Sequence, residues 1–261
     1  MSGKVFFVGA GPGAADLITF RGASAIAAAD IVVWAASLVN EEIIATHARP
    51  EAEIHDSSVL TLEEILRIYE RARAIGCTVA RVHSGDPALY GAIQEQIDYC
   101  DALGLRWEMV PGVSSLAAAA AALGRELTVP GVAQSVVLTR VEGRTSTMPA
   151  GEGVASFATH RTTMALFLSA GRSKLLQSEL LAGYPSETPC AIVHRASWPD
   201  EMVIRTTVGK LASEIRKARI HKTALILVGP ALGAGGSRSD LYSPAFGHEF
   251  RKPALRSQAR G

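Results

Sequence analysis

The chain is short of the residues that carry redox, metal or polyanion chemistry. Its three cysteines, Cys77, Cys100 and Cys190, are odd in number and widely separated. They form no disulfide framework and read as small buried residues of a reducing cytoplasm. None of the seven histidines stands in an H-E-x-x-H or similar spacing, so no metal is expected. Neither sign of charge dominates: 26 basic and 25 acidic side chains leave +1. That balance excludes the electrostatic footprint of a nucleic-acid or membrane-surface protein. The longest alanine-rich stretch, Leu116 to Leu123, is far short of the ~20 residues of a membrane span. Met1-Ser2-Gly3-Lys4 enters a strand pattern at once, so no signal peptide is expected and a cytoplasmic protein is.

What is present starts at Val5. Val5-Phe6-Phe7-Val8 runs into Gly9-Ala10-Gly11-Pro12-Gly13 and then into a helix starting near Asp16. A strand, a glycine turn and a helix N-terminus form a nucleotide-binding corner in open α/β proteins. Glycine serves there where φ is positive or where a ligand approaches the backbone. Gly9, Gly11 and Ala14 satisfy the dinucleotide pattern G-x-G-x-x-G/A, a weak signal by itself. Two features oppose it. Pro12 removes an N–H that a pyrophosphate would use. The ribose-binding acid, due about 20 residues on at the end of the second strand, is missing: Ile31-Val32-Val33-Trp34 ends in Ala35-Ala36, and Asp30 stands at the other end.

Strand-like and helix-like patterns alternate through the first half, which predicts a mostly parallel sheet with helices on its faces. Thr61-Leu62-Glu63-Glu64 is a capping box, opening a helix with Leu62, Ile65, Leu66 and Tyr69 on one face. The strands Cys77–Val82 and Arg106–Val110 run into Ser84–Gly91 and Pro111–Ser115. Together with Gly9–Gly13, three small-residue turns therefore reach one sheet edge, where ligands of open α/β sheets bind. Pro130-Gly131 marks the expected domain boundary. Beyond it, strands near residues 135–140, 163–168, 190–194, 203–206 and 224–228 outnumber the helices near 173–182 and 208–219. A mixed sheet with antiparallel pairs is predicted. The expected domains are 1–129 and 130–232, followed by a polar tail, 233–261.

The turn sequences carry a resemblance. Val8–Gly13, Gly85-Asp86-Pro87 and Pro111–Ser114 match, in order, three motifs of the tetrapyrrole (corrin and porphyrin) methylase family, and the chain resembles that family over about residues 4 to 230. The resemblance implies two αβα domains of the class III S-adenosylmethionine-dependent methyltransferase type, with the ligand cleft between them. It narrows to the corrin-pathway branch that methylates C11 of precorrin-4, through Ser37–Val39, His55-Asp56, Thr139–Thr145, Leu166–Ala170 and Tyr242–Arg251. The acceptor's cobalt-containing form and another ring carbon stay open as alternatives. Uroporphyrinogen methylases, a sister branch, carry an acid after the second strand that is thought to handle a proton, where this chain has Ala35.

Carried over by resemblance, the S-adenosylmethionine site comprises Gly11, Pro12 and Gly13, then Ser84, Gly85, Asp86 and Leu89, then Ser114 and Ser115. The second half adds Ser169, Ala196, Thr223 and Ala224. Asp86 has an alternative reading as a helix N-cap. The acceptor implied is a macrocycle rimmed with carboxylates, which arginine pairs with bidentately. Arg140, Arg144 and Arg195 are the candidates, with Tyr90 placed to stack on the ring edge. No catalytic side chain is named, because an electron-rich ring carbon and a sulfonium methyl need alignment more than a protein nucleophile. Such alignment is worth roughly 7–11 kcal/mol in intramolecular reactions. Relatives are homodimers, and a homodimer is expected by resemblance.

Overall fold

The computed structural model describes residues 3–143, 147–233, 235–236 and 238–253. The first half builds a wholly parallel five-stranded sheet from β1 (Lys4–Gly9), β2 (Ile31–Trp34), β3 (Glu53–Asp56), β4 (Thr78–His83) and β5 (Arg106–Val110). Its order is β3-β2-β4-β1-β5. Helices α1 (Phe20–Ala27) and α2 (Glu41–His47) cover one face, while α3 (Leu62–Ile75) and α4 (Gln94–Leu103) cover the other. With both faces buried, the strands read as near-continuous apolar runs. Helix α5 (Ser115–Leu123) follows β5.

The second sheet contains β6 (Val136–Arg140), β7 (Thr163–Phe167), β8 (Pro189–His194), β9 (Met202–Thr207) and β10 (Ala224–Val228), in the order β6-β7-β10-β8-β9. Only β6 and β7 pair in parallel; the other neighbours are antiparallel. A mixed sheet is thus what forms, as the helix-poor stretches predicted. Helices α6 (Val154–Ala158), α7 (Ser173–Leu181) and α8 (Leu211–Lys217) pack on one face. On the other face Ala118, Ala119 and Leu123 of α5 meet Ala165, Ala191, Leu225 and Leu227. Alanine lets a helix backbone come close to a sheet, which accounts for the composition of α5.

Local chemistry moves several predicted boundaries. The helix expected from Asp16 is a short 3-10 turn, Ala15–Leu17. The true helix, α1, begins at Phe20, because the Thr19 hydroxyl caps it by accepting from the Gly22 N–H at 3.0 Å. The Thr61–Glu64 capping box is present in full, and Gly76 ends α3 at φ 75°. The buried stripe of α3 is Ile65, Ile68, Tyr69 and Ala72, with Leu62 and Leu66 only half-buried. The stretch 208–219 splits into a 3-10 turn, Val208–Lys210, followed by α8.

Asp30 joins the opposite edge of the first sheet. Its carboxylate accepts from the Thr78 N–H at 2.7 Å and from Arg49 Nη2 at 2.5 Å. The Thr78 amide, followed by Arg49, holds its pKa below the ordinary carboxylate value. A depressed carboxylate contributes stability above its unfolded pKa, about 3.9, and that contribution disappears as pH falls through the folded value. Asp30→Asn should therefore cost about 1 kcal/mol at pH 7, a figure already discounted for solvent screening. Urea midpoints of the two proteins should converge on acidification below about pH 4; a gap that persists there would contradict the assignment.

Candidate functional site

Strand order brings three turns together at the C-terminal edge of the first sheet, since β1 lies between β4 and β5. Gly11 and Gly85 exchange backbone hydrogen bonds, Gly11 N–H to Gly85 O at 3.2 Å and Gly85 N–H to Gly11 O at 2.7 Å. A β-carbon at Gly9 would lie 2.6 Å from the Gly112 Cα, and one at Gly112 would lie 2.2 Å from the Gly85 oxygen. These glycines are required by backbone packing against backbone. Asp86 locks the same junction: one carboxylate oxygen accepts from the Ala88 N–H at 2.8 Å and the other from the Gly112 N–H at 3.0 Å. It caps no helix, because α4 begins only at Gln94.

Above this floor a cleft of about 490 Å³ opens between the two sheets. Pro12, Ser84, Gly85, Asp86, Leu89 and Tyr90 line it from the first half, and Ser114 and Ser115 from the start of α5. Ser169, Arg195, Ala196, Thr223 and Ala224 line it from the second half. Residues far apart in sequence are thus gathered at one cavity of a size usual for small-molecule sites. A second cavity, also about 490 Å³, shares Ala170 and His221 with the cleft but has none of the predicted residues on its wall.

Some predicted residues do something other than face the cavity. Gly11 and Gly13 are off its wall: Gly11 is turned to the Leu17 carbonyl, and Gly13 is covered by the ring of Trp198. The fully buried Ser169 hydroxyl accepts from the Val141 N–H at 2.9 Å and donates to the Phe167 carbonyl at 2.7 Å, so it ties two strand ends together. The Ser114 hydroxyl caps α5 through the Leu116 N–H. Arg195 is an ion-pair partner of Asp200 at 2.6 Å and stacks over Trp198 at 4.1 Å. Arg140, outside the lining, stands opposite Phe167 in the β6–β7 register, and its charge bears on the Tyr90 hydroxyl. Tyr90 packs against Phe167 with ring centroids 5.1 Å apart, and burial raises its pKa. Arg144 lies outside the described residues.

Sequence reasoning missed two kinds of residue. The first is the loop Arg195–Asp200, which clasps the opening glycine turn. Trp198 Nε1–H donates to the Pro12 carbonyl at 3.1 Å, and the Ala14 N–H donates to the Ser197 hydroxyl at 3.0 Å. A β-carbon at Gly13 would fall 2.2 Å from the Trp198 ring. The second is a pair on β4 that lines the cleft, Arg81 and His83, both buried. Burial, then the Arg81 charge, pushes His83 down to about 3, so its imidazole is neutral. Burial also lowers the Arg81 pKa from its ordinary value. A charged residue inside an apolar central strand was the available signal for Arg81.

Backbone strain gathers at the same place. Tyr90, Leu168, Arg195 and Thr223 line the cleft at φ between 51° and 59°, and Ser197 in the clasp has φ 66°. Non-glycine residues in that region cost of order 1–3 kcal/mol each and persist where surroundings over-determine them, typically at ligand sites. Trp198→Ala removes a hydrogen bond and a packed ring from the clasp, and should weaken S-adenosylhomocysteine binding about 10-fold, with Trp198→Phe intermediate. Calorimetric titration checks this; unchanged affinity in both variants would show that the clasp does not shape the site.

Comparison with known proteins fits this geometry. The family model described as Tetrapyrrole (Corrin/Porphyrin) Methylases matches residues 4–212. A precorrin-4 C(11)-methyltransferase of a Sinorhizobium species is 46% identical over 95% of this chain and 98% of its own length. A cobalt-precorrin-4 C(11)-methyltransferase of Methanocaldococcus jannaschii is 46% identical over 95% of this chain and 96% of its own. Among solved structures, a cobalt precorrin-4 methyltransferase superposes with a TM-score of 0.85 at 44% identity, covering 88% of this chain and 96% of that one. The uroporphyrin-III C-methyl transferase of Thermus thermophilus, complexed with S-adenyl homocysteine, gives 0.74 at 28% identity, covering 88% and 93%. A match over most of the chain, on the turns that build the cleft, places this protein in the tetrapyrrole methylase family.

Proposed function

We propose that this chain transfers the methyl group of S-adenosylmethionine to C11 of precorrin-4, giving precorrin-5 and S-adenosylhomocysteine, in cobalamin biosynthesis. The observation that carries the reading is the cleft itself: turns from both sheets meet there, in a chain 46% identical to precorrin-4 C(11)-methyltransferases over 95% of its length. The opening turn is unsuited to a dinucleotide for a reason beyond Pro12. Its Pro12 carbonyl and Ala14 amide are already taken by Trp198 and Ser197.

The residues present fit S-adenosylmethionine. Pro12, Leu89, Ala196 and Ala224 offer apolar wall, while the backbone of Ser84–Asp86 and the capped start of α5 at Ser114-Ser115 offer polar groups. When bound, that co-substrate supplies an electrophilic methyl on a sulfonium centre. The chain's own part is to bind, align and keep water out. Tyr90 and Phe167 form an aromatic pair at the cleft, suited to the edge of a macrocycle. His83, held neutral, adds no charge to the site. Among the arginines, Arg140 stays a candidate for an acceptor carboxylate. Arg195 is engaged by Asp200 and Trp198 and is assigned to the clasp.

We further propose that the chain divides into units near residue 130, acts as a homodimer and works in the cytoplasm. Among the described residues no helix is long and apolar enough to cross a membrane. Relatives of equal identity, 46%, bear names with and without cobalt, so the assay must offer both acceptors. Incubation with ¹³C-methyl S-adenosylmethionine and precorrin-4, followed by NMR, should show a new methyl at C11. A methyl on another ring carbon would overturn the position. Transfer to the cobalt-bound acceptor alone would replace the metal-free substrate.

A further inference from the structure

Arg81 occupies the middle of the first sheet, on a strand with neighbours on both sides. It is 8% exposed, yet it lines the cleft. Its Nη1 donates only to uncharged acceptors: Ser57 Oγ at 3.0 Å, the Val33 carbonyl at 3.3 Å and the Val82 carbonyl at 3.4 Å. Its Nε is buried with no partner, and no carboxylate pairs with it among the described residues. Asp56, next to Ser57, accepts through Oδ1 from the Ala36 and Ser58 amides and the Ser58 hydroxyl, and forms no ion pair with Arg81. His83, two residues along the strand, is likewise buried with Nε2 unpartnered. A buried, unneutralised guanidinium is costly to a fold, and one that opens on a ligand cavity is a charge kept for a ligand.

Position within the cleft selects which ligand. The contacts of Arg81 to Val33 and Ser57 place it on the β2–β3 side, where Ala35 and Leu38 form the wall. Of the turns assigned to the methyl donor, two leave β1 and β5, on the far side of β4 from β2, and the third continues β4 itself. We propose that Arg81 binds a carboxylate on the rim of the tetrapyrrole acceptor, anchoring that face of the ring at the β2–β4 end of the cleft. The planar guanidinium is matched to a carboxylate and strongest where water is excluded. The proposal rests on the methyltransferase reading given above.

The test compares wild type with Arg81→Met and Arg81→Lys, using S-adenosylhomocysteine titration and steady-state methyl transfer to precorrin-4. Arg81→Met should raise the acceptor KM about 10- to 100-fold, the range of one lost charged hydrogen bond. The donor-product affinity should stay unchanged, and Arg81→Lys should recover part of the loss. Precorrin-4 with its side-chain carboxylates esterified should bind wild type at least as poorly as Arg81→Met binds the free acid, and Arg81→Met should bind the ester no worse than wild type does. An equal fall in S-adenosylhomocysteine affinity would assign Arg81 to the donor's carboxylate and overturn the proposal. So would an unchanged acceptor KM, which leaves a purely structural arginine. If Arg81→Met does not fold, the Arg81→Lys and ester arms decide. A wild-type protein that binds no S-adenosylhomocysteine and methylates nothing defeats the enzyme reading itself, a result separate from any of these.

Discussion

Main chain meets main chain at Gly9, Gly85 and Gly112, and the cleft exists because it does. With β1 hydrogen-bonded to β4 on one side and β5 on the other, the turns that follow leave the sheet next to one another. Any β-carbon at Gly9 or Gly112 would lie within 2.6 Å of a neighbouring backbone atom. The approach allows Gly11 and Gly85 to satisfy each other's amides and leaves the Gly112 N–H for Asp86. Buried backbone groups must find partners, and here they find them across turns that a longer side chain would separate. The glycines thus shape the floor, while the residues beside them, such as Ser84, Leu89 and Ser115, form the wall.

The second sheet is held to that floor in two ways. Helix α5 leaves the third turn and packs its alanines on Ala165, Ala191 and Leu227. The Arg195–Asp200 loop reaches back to the first turn through Trp198 and Ser197. Arg195 steadies Trp198 from above, and Asp200 steadies Arg195; the hydrogen bond from Arg195 holds the Asp200 carboxyl below its ordinary pKa. The positive φ at Arg195 and Ser197 is the conformational cost of aiming that loop. A cleft bounded by two sheets gains its precision from contacts that cross between them.

How much of this could be read from residues depends on the range of the interaction. The parallel first sheet, the capping box at Thr61 and the antiparallel pairs of the second half rest on local patterns, and they were legible. The meeting of the three turns at one sheet edge was legible too, although of Gly11, Pro12 and Gly13 only Pro12 lines the cavity. Boundaries set by a single side chain were not: Thr19 restarts a helix that hydrophobicity alone begins at Asp16. The same limit applies to what a wall residue does. Ser169 and Arg195 stand where expected, yet one is consumed by Val141 and Phe167 and the other by Asp200 and Trp198. Gly13 was taken for a ligand contact because the ring that covers it lies on Trp198, far along the chain. Sequence pattern shows which edge a residue reaches; partners at long range decide what it is free to touch.

Arg81 and Ala35 are two parts of one electrostatic arrangement. The sister branch that methylates uroporphyrinogen is expected, from the resemblance, to carry an acid where this chain has Ala35. Both residues line the same cavity. An acid at position 35 would put a negative charge on the wall of the cavity that Arg81 lines. With alanine there and no carboxylate paired to Arg81 among the described residues, the guanidinium charge stands uncompensated in a region of low dielectric, where Coulomb interactions are strongest. On the proposal made above, an acceptor carrying several carboxylates is drawn to Arg81. On that proposal one unpaired charge orients the acceptor from its rim, and in-line transfer needs its ring carbon held against the donor's methyl.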